Sequence, residues 1–118
     1  GTGQSNLAAR SPDSEPGQDA VYAVRDFIRA QVERRWNPDL RAARANWVVA
    51  VRIVMRPDGT VTRAEVVDQS GYRDRAYQDF ALSARNAVLL SSPLTIPVGR
   101  YDLARDIVVE FDPKRLLP

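Results

Sequence analysis

WVVAVRIVMRPDGTVTRAEVV, running from Trp47 to Val67, sets the character of the whole chain. Trp47, Val49, Val51, Ile53 and Met55 alternate with Val48, Ala50, Arg52, Val54 and Arg56, so the odd row is wholly apolar. A period of two is the spacing of side chains along one face of a strand, and the β-branched content agrees with it. Pro57-Asp58-Gly59 then reverses the chain, because proline presets the first turn dihedral and glycine takes a positive φ without steric cost. The return segment, Thr60 to Asp68, carries Val61, Ala64, Val66 and Val67 out of strict alternation, which a bulge near the turn or a twisted edge strand explains.

Upstream of this hairpin the period changes. Val21, Val24, Ile28, Val32 and Trp36 recur every three or four residues, with Phe27 widening the stripe and Asp19 placed to cap its start. That spacing predicts an amphipathic helix with one buried face, stopping at Asn37-Pro38 because proline disfavours helical geometry in the residue before it. Leu40 to Asn46 reads as a connector. Residues 1–18 are small and polar, with Leu7 the one large apolar side chain; they are expected to be a flexible linker or an engineered remnant, leaving 19–118 as the folded domain. The start, Gly1-Thr2-Gly3, lacks methionine and is expected to be a cut end of something longer.

Downstream, Ser70-Gly71 closes the hairpin and helical spacing returns: Tyr77, Phe80, Ala81, Ala84, Ala87 and Val88 share a face. Ser92-Pro93 ends that second helix, and Leu94 to Gly99 reads as an extended loop. Tyr101, Leu103, Ile107, Val109 and Phe111 then alternate with polar neighbours, predicting a third strand ended by Asp112-Pro113. The order helix, strand, strand, helix, strand gives an α+β fold. A right-handed crossover places strand three beside strand one, in a three-stranded antiparallel sheet of order 2-1-3 with both main helices on one face. Strands two and three are then both free edges.

The 118 residues include no cysteine and no histidine, so zinc-finger ligands, thiol nucleophiles and every His-based catalytic arrangement are excluded. The 17 basic residues nearly balance the 15 acidic ones, leaving a formal charge of +2 and little long-range attraction for phosphate. Arg25, Arg29, Arg34, Arg35, Arg41 and Arg44 are interleaved with Asp26, Glu33 and Asp39 and share no single helical face, which predicts a solvated surface and no nucleic-acid site. The expected strand lacks the paired aromatics that stack bases in RNA-recognition sheets. Asp102 and Asp106, four strand residues apart, would stand about 13 Å from one another, too far for a carboxylate dyad. No enzyme, cofactor or metal site is therefore expected. No apolar run is long enough to span a bilayer, so no direct membrane contact is expected from these residues.

The joints between elements carry a resemblance. Val32-Glu33-Arg34-Arg35-Trp36-Asn37-Pro38 closes the first helix and Pro57-Asp58-Gly59-Thr60-Val61 makes the hairpin turn. Ser70-Gly71 precedes helix two, Ser92-Pro93-Leu94-Thr95-Ile96-Pro97 follows it, and Phe111-Asp112-Pro113 ends the last strand. In this order, over about Val21 to Leu117, they resemble the C-terminal domain of TolA and more distantly that of TonB. The Trp-Asn-Pro helix end favours TolA, and the Tyr-Pro pair frequent in TonB domains is missing. The disulfide of some TolA domains has no counterpart here. Trp36, Pro38, Trp47, Pro57, Gly59, Gly71 and Pro93 are assigned structural roles.

The resemblance implies a periplasmic protein-binding module, tethered to the inner membrane by other segments together with TolQ and TolR. Its partners would be TolB and the Pal lipoprotein system, in support of outer-membrane integrity and division, and phage coat proteins and colicins would exploit it. A TonB-like module gripping the box peptide of an outer-membrane transporter is the alternative. From the residues themselves, the candidate site is a free sheet edge, where an extended peptide adds as a further strand. The third strand is the better candidate, over Arg105, Asp106, Ile107, Val108, Val109, Glu110 and Phe111. Its charges, with Asp102, discourage indiscriminate pairing.

Overall fold

The computed structural model describes residues 17–67 and 74–118. Residues 1–16 of the linker expected over 1–18, and the Ser70-Gly71 junction with the role assigned to Gly71, lie outside the described residues, while Gln18 already belongs to the first helix. Helix α1 spans Gln18–Glu33 and buries Val24, Ile28 and Val32. Its N-cap is Gly17, not Asp19, which sits in the first turn, where a carboxylate favours the helix dipole. Phe27 does not widen the buried stripe; it is exposed.

The helix also ends earlier than its stripe suggests. The chain tightens as Arg35 N–H donates to Val32 C=O at 2.9 Å and Trp36 N–H to Glu33 C=O at 3.3 Å. Trp36 thereby leaves the helix and turns into the core. A short helix, α2 (Arg41–Arg44), interrupts what reads as a connector. Asn46 then takes φ 60°, a conformation asparagine tolerates, and leads into β1.

Strand β1 (Val49–Met55) pairs antiparallel with β2 (Val61–Val67), and Thr62 is the extra residue between the pairs Val54↔Arg63 and Met55↔Val61, a bulge beside the turn. Helix α3 (Arg75–Leu90) is capped by Asp74, whose carboxylate accepts from Ala76 N–H, and it buries the six residues whose spacing announced it. Helix α4 (Tyr101–Ala104), strand β3 (Asp106–Phe111) and a 3-10 turn at Pro113–Leu116 complete the chain. The sheet order is β2-β1-β3, antiparallel throughout. α1 packs on β3 and α3 on β2 and β1, and among the described residues no helix covers the other face of the sheet.

The third strand is shorter than its alternation predicts. Tyr101 to Ala104 is a helical turn: Ala104 is fully buried, and the Tyr101 hydroxyl donates to Met55 C=O at 2.9 Å. Tyr101 and Ala104, three apart, face the protein together, so two apolar alternations that imitate a strand are one turn of helix.

The motifs at the joints meet in space. Gly59 has φ +90°, and Leu94 N–H donates to Gly59 C=O at 2.9 Å while Val61 N–H donates to Ser92 Oγ at 3.0 Å. The Pro-Asp-Gly turn is thus sewn to the segment after α3, 31 residues further on from Val61. Trp36 stands against Phe80 and Phe111, with ring centroids 5.9 and 5.7 Å away, and its indole N–H donates to Ser83 Oγ at 3.0 Å. Trp47, half-buried, extends the cluster through Tyr77 and Phe80 at 5.4 and 5.7 Å.

Two stability outcomes follow. A Cβ on Gly59 would lie 1.8 Å from Leu94 O, whereas one on Gly99, also at positive φ, meets nothing within 4 Å. Gly59→Ala should cost about 3 kcal/mol or more and Gly99→Ala only about 1–2 kcal/mol, measured by urea denaturation. Trp36→Ala, which empties the junction of α1, α3 and β3, should cost about 3–5 kcal/mol in the same measurement.

Candidate functional site

The backbone of β3 faces two ways. Met55 N–H donates to Arg105 C=O at 3.0 Å, and in the antiparallel register Ile53↔Ile107, Val51↔Val109 and Val49↔Phe111 the odd residues direct their N–H and C=O groups at β1. Their side chains are buried under the helices. Asp106, Val108 and Glu110 therefore turn their backbone groups to the outer border and their side chains to the open face. Of the seven residues expected from sequence, these three turn their main chain away from β1. Arg105 is the cap of α4, with its guanidinium 5.9 Å from the Tyr101 ring, and Asp102 lies within α4, off the border.

One outward acceptor on this border is already used. Arg29 of α1 donates from Nε to Glu110 C=O at 2.9 Å and pairs through its terminal nitrogen with Asp26. Beyond that contact, α1 and β3 enclose a groove of about 350 Å³ lined by Tyr22, Arg25, Asp26, Arg29, Val108 and Glu110. Tyr22, Arg25, Asp26 and Arg29 fall at i, i+3, i+4 and i+7, one stripe of the helix.

The opposite border repeats the plan with less left over. There Arg85 of α3 donates to Ala64 C=O at 3.1 Å, Val61 N–H is given to Ser92 Oγ, Val66 is also engaged, and the bulge at Thr62 breaks the ladder. A groove of about 550 Å³ beside it, lined by Ala64, Tyr77, Gln78, Ala81, Leu82 and Arg85 among others, is larger. Its strand nonetheless offers a guest fewer backbone partners than β3 does.

The charges along β3 are differently placed than the sequence suggests. On the open face Arg52 of β1 binds Asp106 through two hydrogen bonds of 2.9 and 2.6 Å, and those bonds hold the Asp106 carboxyl below its ordinary range. Arg115 binds Glu33 at 2.8 Å and ties the C-terminal turn to the end of α1. The Arg-rich stretch is dispersed: Arg29 pairs with Asp26 and Arg41 with Asp39, whose carboxyl its hydrogen bonds from Arg41 lower to about 2. Among the described residues no cluster of acidic side chains could hold a metal ion, and no helix is long and apolar enough to cross a membrane.

The architecture is that of an open-edged α+β domain, in which two helices shelter one face of three antiparallel strands and each outer strand runs beside a helix. Among solved structures, the chain is similar to TolAIII in its solution NMR structure bound to a peptide derived from the N-terminus of TolB, at 30% sequence identity and a TM-score of 0.64, over 86% of this chain and 82% of that one. The chain belongs to the TolA C-terminal domain family. No protein-family model and no curated protein matches it.

The Arg52–Asp106 bond makes a pH-dependent prediction. A carboxyl whose folded pKa is depressed stabilises the fold above its unfolded pKa, and that contribution is lost as pH falls through the folded value. The stability difference between the wild type and Arg52→Ala should therefore shrink as pH drops through the Asp106 titration. The Asp106 carboxyl carbon, followed by NMR, should titrate higher in Arg52→Ala than in the wild type.

Proposed function

We propose that this domain is a periplasmic protein-binding module of a TolA-like component of the Tol-Pal system, and that it captures an N-terminal segment of TolB as a fourth strand on the outer border of β3. The observation that carries the reading is the outward backbone of Asp106, Val108 and Glu110 beside the α1 groove, on a chain of the TolA family. Three outward residues offer six backbone groups, and five remain once Arg29 has taken Glu110 C=O. At about 0.5–1.5 kcal/mol net each, five bonds give roughly 2–8 kcal/mol, against roughly 2–5 kcal/mol for ordering a disordered peptide.

Backbone pairing alone is weak. Side chains in the groove must supply the remaining affinity and the specificity, and a contact of that strength suits a link that forms and releases. In this role the domain passes force or position from an inner-membrane anchor, held with TolQ and TolR, to TolB and the Pal lipoprotein. Outer-membrane integrity and constriction during division would depend on that transfer, and phage coat proteins and colicins would compete for the same border.

The test is binding of a peptide derived from the N-terminus of the same organism's TolB, measured by calorimetry. Val108→Pro removes an outward N–H without touching the ladder to β1 and should weaken binding roughly tenfold, while Val108→Ala, which keeps the amide, should change it little. Val109→Pro is the wrong probe, because that N–H belongs to the pair with Val51. With circular dichroism showing the fold intact, undiminished binding by Val108→Pro would place the partner elsewhere.

A further inference from the structure

Arg25 stands apart from the other cations of the domain. Its Nε is buried without a hydrogen-bond partner, and among the described residues its guanidinium takes part in no ion pair. A buried donor without a partner is costly, and such an atom in a folded protein calls for an explanation. The half-buried side chain also lines the groove between α1 and β3, so the terminal nitrogens of its guanidinium are the donors a guest there would meet.

Arg29 bonds Glu110 and Glu33 bonds Arg115, so the C-terminal end of α1 lies at the C-terminal end of β3. Arg25 is four residues, about 6 Å along the helix axis, before Arg29, and two strand residues cover about 6.6 Å. Arg25 therefore lies level with Val108 and Val109. A guest residue seated directly beside Val109 directs its side chain to the helix layer, as Val109 itself does. That side chain enters the groove at Arg25.

The neighbouring charges leave room for an anion there. Asp26 and Glu110 also line the groove, but Asp26 is already paired with Arg29, and the side chain of Glu110, an even residue of β3, leaves the strand on the open face. We propose that Arg25 selects the guest by receiving a carboxylate side chain, Asp or Glu, from the added strand, at the residue seated beside Val109. A guanidinium holds a carboxylate through two parallel bonds, which fixes the register of the guest as well as its identity. The inference rests on strand addition at β3 as proposed above.

A double-mutant cycle tests it. The TolB N-terminal peptide is compared with peptides in which each Asp or Glu is replaced in turn by Asn or Gln, against the wild-type domain, Arg25→Gln and Arg25→Lys. Arg25→Gln should lose roughly tenfold in affinity for the unmodified peptide, and one amide-substituted peptide should lose as much on the wild type but nothing further on Arg25→Gln. Arg25→Lys should recover only part of the loss. A thermal melt establishes that Arg25→Gln remains folded.

Equal losses on every peptide, or no loss on any, would overturn the role of Arg25 while leaving strand addition standing. Coupling seen only with the peptide's terminal carboxylate, checked with a C-terminally amidated version, would overturn the side-chain assignment. Self-association of the wild type in sedimentation, abolished by Arg25→Gln without peptide, would make a second copy of the chain the occupant and overturn it too. Failure of the wild type to bind the peptide at all would overturn the strand-addition reading and this inference with it.

Discussion

The register of β3 on β1 is the constraint from which the site follows. Ile107, Val109 and Phe111 are all buried beneath the helices, each burial stabilising by about 1.5–3 kcal/mol. A slip of one residue would send Asp106, Val108 and Glu110 inward instead and expose the apolar row. That cost is comparable with the whole stability of a small domain, about 5–15 kcal/mol. Register in turn dictates which amides look outward. The border is open at Val108 because Val109 is held in the core.

The rest of the fold prepares that border and limits it. Trp36 joins α1 to α3 and β3 through Phe80 and Phe111, so the helix flanking the groove and the strand forming its floor are fastened to the same aromatic cluster. The Arg115–Glu33 pair closes one end. On the two borders, Arg29 and Arg85 do the same job from different helices, each taking up one outward carbonyl. An edge strand with its carbonyls partly claimed and charged side chains along it pairs less readily with arbitrary chains. The difference lies in what is left over: β2 is bulged and tied to Ser92, whereas β3 keeps Val108 intact.

Much of this was legible in the residues because burial is written as periodicity. The odd row of β1 and the six-residue face of α3 are both buried as their spacing requires, and the irregular apolar pattern of β2 has its physical cause in the bulge at Thr62. Where the reading failed, short range was the reason. Tyr101 to Ala104 is too short for period two and a single helical turn to be told apart, and the tertiary bond from Tyr101 to Met55 belongs to the turn. The Gly17 cap replaces Asp19 because a cap is a matter of one residue's dihedral.

The arginines mark the other limit. Arg25 and Arg29 are members of a charge-rich stretch in sequence, and nothing local separates them from Arg34 or Arg35. Arg29 meets Glu110 across 81 residues, and Arg25 is distinguished by a buried Nε without a hydrogen-bond partner. The periodicity of α1 could have placed Tyr22, Arg25, Asp26 and Arg29 on one stripe, but that this stripe borders β3 depends on the packing of the helix against the sheet.

Amide hydrogen exchange on the complex reaches the central claim most directly. In the free domain Val108 N–H should exchange rapidly while Val109 N–H, held by β1, exchanges slowly; on adding the TolB N-terminal peptide, Val108 should become protected and Ala64, on the opposite border, should not change. Slow exchange at Val108 before any peptide is added, or peptide-induced protection confined to the β2 border, would contradict the account.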